Sequence, residues 1–178
     1  AFNHEREEQD GQPVWDRIII DAPATGHGLT FFRLPRIIRD AIPTGNMHSE
    51  GTEMWNLMTD PERTAVHLVS LPEELPVQET RELHERLKTE LGLPLGALFM
   101  NQTPTQPLSA DAAECLQGWH DEPTPECLQP LWEAGRIRLQ QVQQAAGYRD
   151  ILAQLGQPII DLPRCYTAPF GRPDIERL

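Results

Sequence analysis

The sequence predicts an α/β fold, a mostly parallel sheet flanked by helices, and three observations carry that prediction. Short apolar runs of strand length recur at Val14–Ile20, Ala65–Leu71, Ala97–Asn101 and Gln157–Leu162. Segments with helical spacing of apolar residues separate them, as crossovers between parallel strands require. The runs lead into Asp21, Pro72, Gln102 and Pro163, so polar and turn-forming groups collect at the carboxyl ends of strands, where open α/β sheets bind ligands.

Ala1–Pro13 is charged and turn-rich and reads as a poorly ordered lead or the remnant of something removed. Val14–Ile20 is the first strand, expected to be buried and parallel, and it delivers the Asp21 carboxylate to the top of the sheet. Such an acid can hold a metal-bound water, and the glycine-rich turn after it can present backbone N–H groups to an anion. The plainer role of a strand-end acid is to start a turn or cap the next helix. Leu29, Phe31, Phe32, Leu34, Ile37 and Ile38 then form an apolar cluster suited to a helix, with Pro35 as a point for a kink.

Ile42–Asn46 is a turn, after which Met47, Met54, Trp55 and Met58 place an apolar stripe on a second helix. Flexible methionines can line a groove for variable apolar partners. The stretch from Leu34 to Asp60 holds only about two short helices, however, and ordinary core packing is the preferred reading. Asp60–Thr64 is a helix stop and turn, and Ala65–Leu71 a second buried strand.

Leu83, Leu87 and Leu91 recur every fourth residue on an otherwise charged helix, giving a face to pack on the sheet. Glu73, Glu74 and Glu79 are acids at a helix start, where the helix dipole favours them. His67 reads as a core histidine with its polar atoms satisfied. The third strand, Ala97–Asn101, ends on an amide, whose donor and acceptor match an adenine edge. A short helix follows from about Ser109 to Trp119, then a long helical pattern from Glu126 to about Leu155, interrupted near Gly147. Gln157–Leu162 is the fourth strand, Pro163–Pro173 the loop after it, and Pro173–Leu178 a short terminal helix.

At 178 residues and 39% hydrophobic content the chain can bury a core as one domain. It holds no apolar run of transmembrane length, and its acidic, polar start is unlike a signal peptide, so the cytoplasm is the expected location. A formal charge of −12 argues against non-specific nucleic-acid binding, which relies on neutralising phosphates. Free nucleotide stays open, because local N–H groups bind phosphate even in an acidic protein. Cys115, Cys127 and Cys165, without a CxxC, read as reduced thiols.

The phrase Asp21-Ala-Pro-Ala-Thr-Gly-His27, with Leu29-Thr-Phe-Phe-Arg-Leu-Pro35 after it, closely resembles the switch II segment of the ArsA/Get3 ATPases. These are the arsenite-pump and tail-anchored-protein-targeting family of P-loop ATPases. Asp60-Pro-Glu-Arg-Thr64 and Pro72-Glu-Glu-Leu-Pro-Val-Gln-Glu-Thr80 match segments that flank a central strand of that family. Asn101-Gln102 is similar to its Val-Asn-Gln strand end, and the loop from Leu162 resembles its adenine-side loop.

The resemblance, which covers Val14 to Leu178, implies ATP and Mg2+ as cofactors. It implies that Asp21 organises magnesium through water and that Gly26 and His27 sense the terminal phosphate. It also places Asn101, Pro163, Arg164 and Cys165 around the adenine. The reaction it implies is magnesium-dependent ATP hydrolysis coupled to opening and closing of a homodimer, with a membrane pump or client protein as the coupled partner.

The family's P-loop and its switch I acid lie ahead of switch II. Nothing between Ala1 and Trp15 resembles them, and the only lysine, Lys88, sits in the Leu83–Leu91 helix. The expected organisation is therefore a disordered or truncated lead at 1–13 and an incomplete P-loop NTPase domain at 14–178, the C-terminal portion of such an ATPase, with a short helical insert at about 36–59. Alone, it is expected to be inactive. A second reading is a non-catalytic partner domain that pairs with a complete ATPase through its switch face. A third is a metal-dependent hydrolase using Asp21, His27 and His67. Zinc-bearing relatives carry a CxxC pair after the Asn-Gln strand, but Thr124 stands three residues before Cys127, so no structural zinc is expected.

Overall fold

The computed structural model describes residues 8–9, 12–23, 25–105, 109–118, 128–166, 169 and 171–176. Thr124, Cys127, Trp119 and the proline-rich break around them lie outside the described residues, as do residues 1–7 of the charged lead and parts of the final loop and C-terminus. Two compact units are present, one of Ala1–Val66 with Glu85–Pro94 and one of His67–His84 with Leu95–Leu178.

The first unit holds a short antiparallel ladder, β1 (Glu8–Gln9) on β2 (Gln12–Pro13), and a helical hairpin of α1 (Thr25–Ala41) and α2 (Asn46–Thr59). The run Val14–Ile20 is not a strand, which corrects the expectation of a buried first strand. Its isoleucines are exposed, Ile19 to 93%. A strand exists only through the backbone donors and acceptors of a neighbouring strand, and among the described residues no strand is paired with this run. Asp21 accordingly lies in an irregular, exposed segment.

Pro35 sits within α1 and is buried. Gly51 of α2 comes against it: a Cβ there would lie 3.1 Å from the Pro35 carbonyl oxygen and 3.2 Å from the Arg39 nitrogen. The helices meet backbone to backbone at this point, and glycine permits the approach. His48 Nδ1 lies 3.0 Å from the Arg39 carbonyl oxygen and 2.8 Å from that of Ile42. Both partners are acceptors, so Nδ1 carries the hydrogen and caps carbonyls at the end of α1. Trp55 lies 5.9 Å from the guanidinium groups of both Arg36 and Arg39, so part of the predicted α2 stripe packs on α1. Met54 and Met58 are half-buried with it, while Met47 is exposed.

Asp60 ends α2 as the sequence predicts. Its backbone leaves the helical region ahead of Pro61, its carbonyl accepts the N–H groups of Arg63 and Thr64, and its carboxylate accepts that of Glu62 at 2.9 Å.

The parallel three-stranded sheet is built from β3 (Val66–Ser70), β4 (Leu95–Thr103) and β5 (Ile159–Pro163), in the order β3-β4-β5. Helices α3 (Glu74–Arg86), α4 (Ala110–Gly118), α5 (Gln129–Ala153) and α6 (Arg172–Ile175) alternate with the strands, and α3 passes into a π-helical turn at Leu87–Leu91. This is the predicted α/β class. Leu98 and Met100 of the central strand and Leu152 of α5 are the fully buried side chains of the second unit. Ser109 opens α4 as its N-cap, with Oγ accepting the Ala112 N–H at 3.2 Å.

Three details depart from the sequence reading. β3 is buried on one face only, through Leu68 and Ser70, while Val69 is 64% exposed. The buried face of α3 and its π-helical turn runs Val77, Thr80, His84, Leu87, Leu91, so His84 takes the place expected of Leu83. Helix α5 continues through Gly147, because one interior glycine costs about 1 kcal/mol, too little to break a long helix packed along its length. Among the described residues no helix is long and apolar enough to cross a membrane.

Candidate functional site

Parallel strands that lie side by side end at the same edge of the sheet, and here that edge collects the predicted adenine-side residues. In the β4–β5 register Asn101 lies opposite Leu162 and Thr103 opposite Pro163, with an irregularity between Asn101 and Thr103. The Arg164 N–H donates to the Thr103 carbonyl at 3.0 Å, extending the pairing into the loop. Asn101 thereby lies opposite Leu162, the residue just ahead of the Pro163–Cys165 segment. The Cys165 thiol is free and exposed, 3.7 Å from the Pro163 carbonyl oxygen.

The residue after Asn101 is under strain. Gln102 has φ 57°, the left-handed region that residues with a Cβ rarely enter. Its N–H donates to Asn101 Oδ1 at 2.9 Å. This bond turns the Asn101 side-chain oxygen toward the backbone and leaves the Nδ2 hydrogens for another acceptor. Strained backbone at a strand end is a mark of functional sites. Gln102→Val, which puts a β-branched residue at positive φ, is expected to cost about 1–3 kcal/mol in a urea unfolding titration, whereas Gln102→Gly should not destabilise. Equal stability of the two variants would show that the left-handed conformation is not held in solution.

Beyond the same strand ends lies a cleft of about 570 Å³, lined by Thr105, Ala134, Ile137, Arg138, Gln141 and Tyr166. It opens widely to solvent, and its lining is mostly apolar. Of these residues the sequence reading marked none.

The switch-like phrase belongs to the first unit, and the adenine-side residues to the second. Asp21 precedes α1, and Gly26 and His27 fall in its first turn, where backbone N–H groups have no intrahelical partner. His27 is exposed. Gly28 has the sharper steric requirement: a Cβ there would lie 2.6 Å from the Pro23 carbonyl oxygen. Only glycine lets the Asp21–Pro23 segment fold back this closely onto the helix. The Gly-His-Gly sequence contained the signal, but spacing alone does not say which glycine meets the backbone.

His67 is exposed, so it is not the core histidine expected, although its Nδ1 is satisfied by the Ala97 N–H at 3.0 Å. Its ring stands edge-on to Phe99, with centroids 5.7 Å apart. Among the described residues no group of three or more histidines, cysteines or acids gathers as a metal-ligand set.

Residues 44–124 of this chain match the anion-transporting ATPase family. The chain is 36% identical over 107 residues to the ATPase BagA of Mycobacterium tuberculosis and, at the same identity, to the protein Mb3704 of Mycobacterium bovis. Each match covers 60% of this chain and 31% of the relative's length. Asn101 falls within the family match; Asp21, His27 and the Pro163–Cys165 loop fall outside it. Over residues 44–124 the chain is thus similar to the anion-transporting ATPases, and its parallel sheet is of the α/β class expected there.

Proposed function

We propose that this chain supplies the adenine-binding half of an ATP site, together with a switch segment, to an ArsA/Get3-type ATPase. Residues 14–178 form its C-terminal portion, after a lead at 1–13 and with a helical insert at about 36–59. The observation that carries the reading is the juxtaposition of Asn101 with the Pro163–Cys165 loop at the carboxyl ends of two adjacent parallel strands.

The residues present fit a nucleotide. Asn101, its Oδ1 tied to Gln102, offers Nδ2 hydrogens to a ring nitrogen of adenine. Pro163, Arg164 and Cys165 border the base from the neighbouring strand. Asp21, exposed, would hold a magnesium-bound water, and the N–H groups in the first turn of α1, with Gly26 and His27, would face the terminal phosphate. Magnesium, when bound, neutralises charge developing on the phosphates during transfer. The complete reaction is ATP hydrolysis coupled to opening and closing of a dimer, with a membrane pump or client protein as partner.

The test is a titration with adenosine and guanosine followed through backbone amide resonances. About ten ring atoms at roughly 0.4 kcal/mol each correspond to a dissociation constant on the order of 1 mM for adenosine. Shifts are expected at Asn101–Thr103 and at Arg164 and Cys165, with guanosine weaker. Equal binding of guanosine, or shifts confined to other residues, would overturn the assignment. Phosphate release from magnesium-ATP by this chain alone is expected to stay at background, and micromolar binding of magnesium-ATP would contradict it.

The partner-domain reading draws on a separate observation, the exposed Ile18–Ile20 run beside the switch phrase. Pairing through that face would cover it. Sedimentation that finds no association, either with itself or with a complete ATPase, rules that reading out.

A further inference from the structure

Arg138 belongs to α5, and no motif singles it out, yet it joins the two loops that leave the candidate site. Its Nη2 donates to Thr105 Oγ1 at 3.0 Å, just past the end of β4. Its Nη1 donates to the Tyr166 hydroxyl, just past the end of β5, and to Gln141 Oε1 on its own helix, both at 3.3 Å. One planar guanidinium thus bridges two chain segments whose backbone pairing runs as far as Thr103 and Arg164. All three groups line the 570 Å³ cleft.

Tyr166 is placed unusually for a tyrosine. The residue is 68% exposed, yet its hydroxyl is held, and the guanidinium groups of Arg138 and Arg164 lie over its ring, 6.0 and 5.4 Å from the centroid. An aromatic ring fixed at its tip but open to solvent is a preformed stacking surface, and stacking on such a ring tolerates any planar heterocycle. Arginine suits the bridging role because its fork donates in several fixed directions, whereas a lysine ammonium is a single point.

We propose that Arg138 is a positioning residue: it fastens the Thr105 and Tyr166 loops together and so holds the Tyr166 ring as a wall of the cleft against which the nucleotide base stacks. This rests on the nucleotide reading above and adds a residue from a different helix to it. Asn101 then supplies the base's hydrogen bond and Tyr166 its stacking face, with Arg138 setting the latter in place.

The test compares Arg138→Gln, Arg138→Lys and Arg149→Gln in the full chain. Arg149, on the same helix, pairs with Asp161 at 2.9 Å and controls for loss of an arginine in general. Adenosine affinity is expected to fall about fivefold in Arg138→Gln, the loss from leaving one loop to be ordered on binding. Amide exchange at Arg164–Tyr166 in the free protein is expected to quicken, with the unfolding midpoint unchanged. Arg138→Lys should resemble Arg138→Gln, and Arg149→Gln should bind as the unsubstituted chain does. Unchanged adenosine affinity in Arg138→Gln overturns the proposal alone, as does full recovery in Arg138→Lys, which would make charge and not the fork the operative property. Absence of adenosine binding by the unsubstituted chain is a distinct result that overturns the nucleotide reading and this proposal with it.

Discussion

Replacing Leu98 by alanine is expected to lower the unfolding free energy of the sheet-bearing unit by about 3–5 kcal/mol. Leu98 is 1% exposed and lies on the central strand, opposite Ile159 in the parallel register, with its N–H bonded to the Pro158 carbonyl at 2.8 Å. The cost has two parts, the lost transfer of the side chain out of water and the cavity it leaves. A strand paired on both sides cannot move inward to close that cavity, so the upper part of the range applies. Domains of this size are stable by only about 5–15 kcal/mol, so the urea midpoint should drop steeply. Val69→Ala is the control, since Val69 is 64% exposed on the same sheet and should cost well under 1 kcal/mol. A Leu98→Ala loss no larger than that of Val69→Ala would place the core elsewhere.

Asn101→Ala is expected to weaken adenosine binding by about tenfold, the value of one hydrogen bond whose buried partner is left unsatisfied. It should also cost about 1 kcal/mol of stability, because Oδ1 no longer accepts the Gln102 N–H. Asn101→Asp separates the two roles. A carboxylate still accepts the Gln102 N–H, so stability is retained, but it has no hydrogens to donate and should bind adenosine as poorly as the alanine variant. An Asn101→Asp protein that binds adenosine normally would mean that the amide's donors do not face the base, whatever the alanine variant does. Both variants can be measured in the same amide-resonance titration as the unsubstituted chain.

How far each residue was legible follows from how local its determinants are. The helix stop at Asp60-Pro61 was readable because proline restricts the residue before it regardless of the rest of the fold. Strands β3, β4 and β5 were readable as apolar runs, although their ends shifted by one or two residues. Val14–Ile20 has the same composition and is not a strand, since pairing belongs to two segments and composition to one. His84 replaced Leu83 on the buried face of α3 because the helix was set down with that side inward, and apolar spacing alone left two adjacent faces eligible. Gly28 and Gly51 were visible as glycines, but the backbone each must admit lies elsewhere in the chain.

Chain order and residue type were enough to name the α/β class and the likeness to the anion-transporting ATPases over residues 44–124, and to single out Asn101 as a candidate amide, because each depends on neighbours within a few positions. The left-handed turn at Gln102 that aims this amide, and the bridge from Arg138 to both Thr105 and Tyr166, came into view only with the folded chain. Their partners meet through the pairing of β4 with β5 and the packing of α5, and a hydrogen bond between residues 28 or 33 positions apart leaves no trace in either one's local sequence.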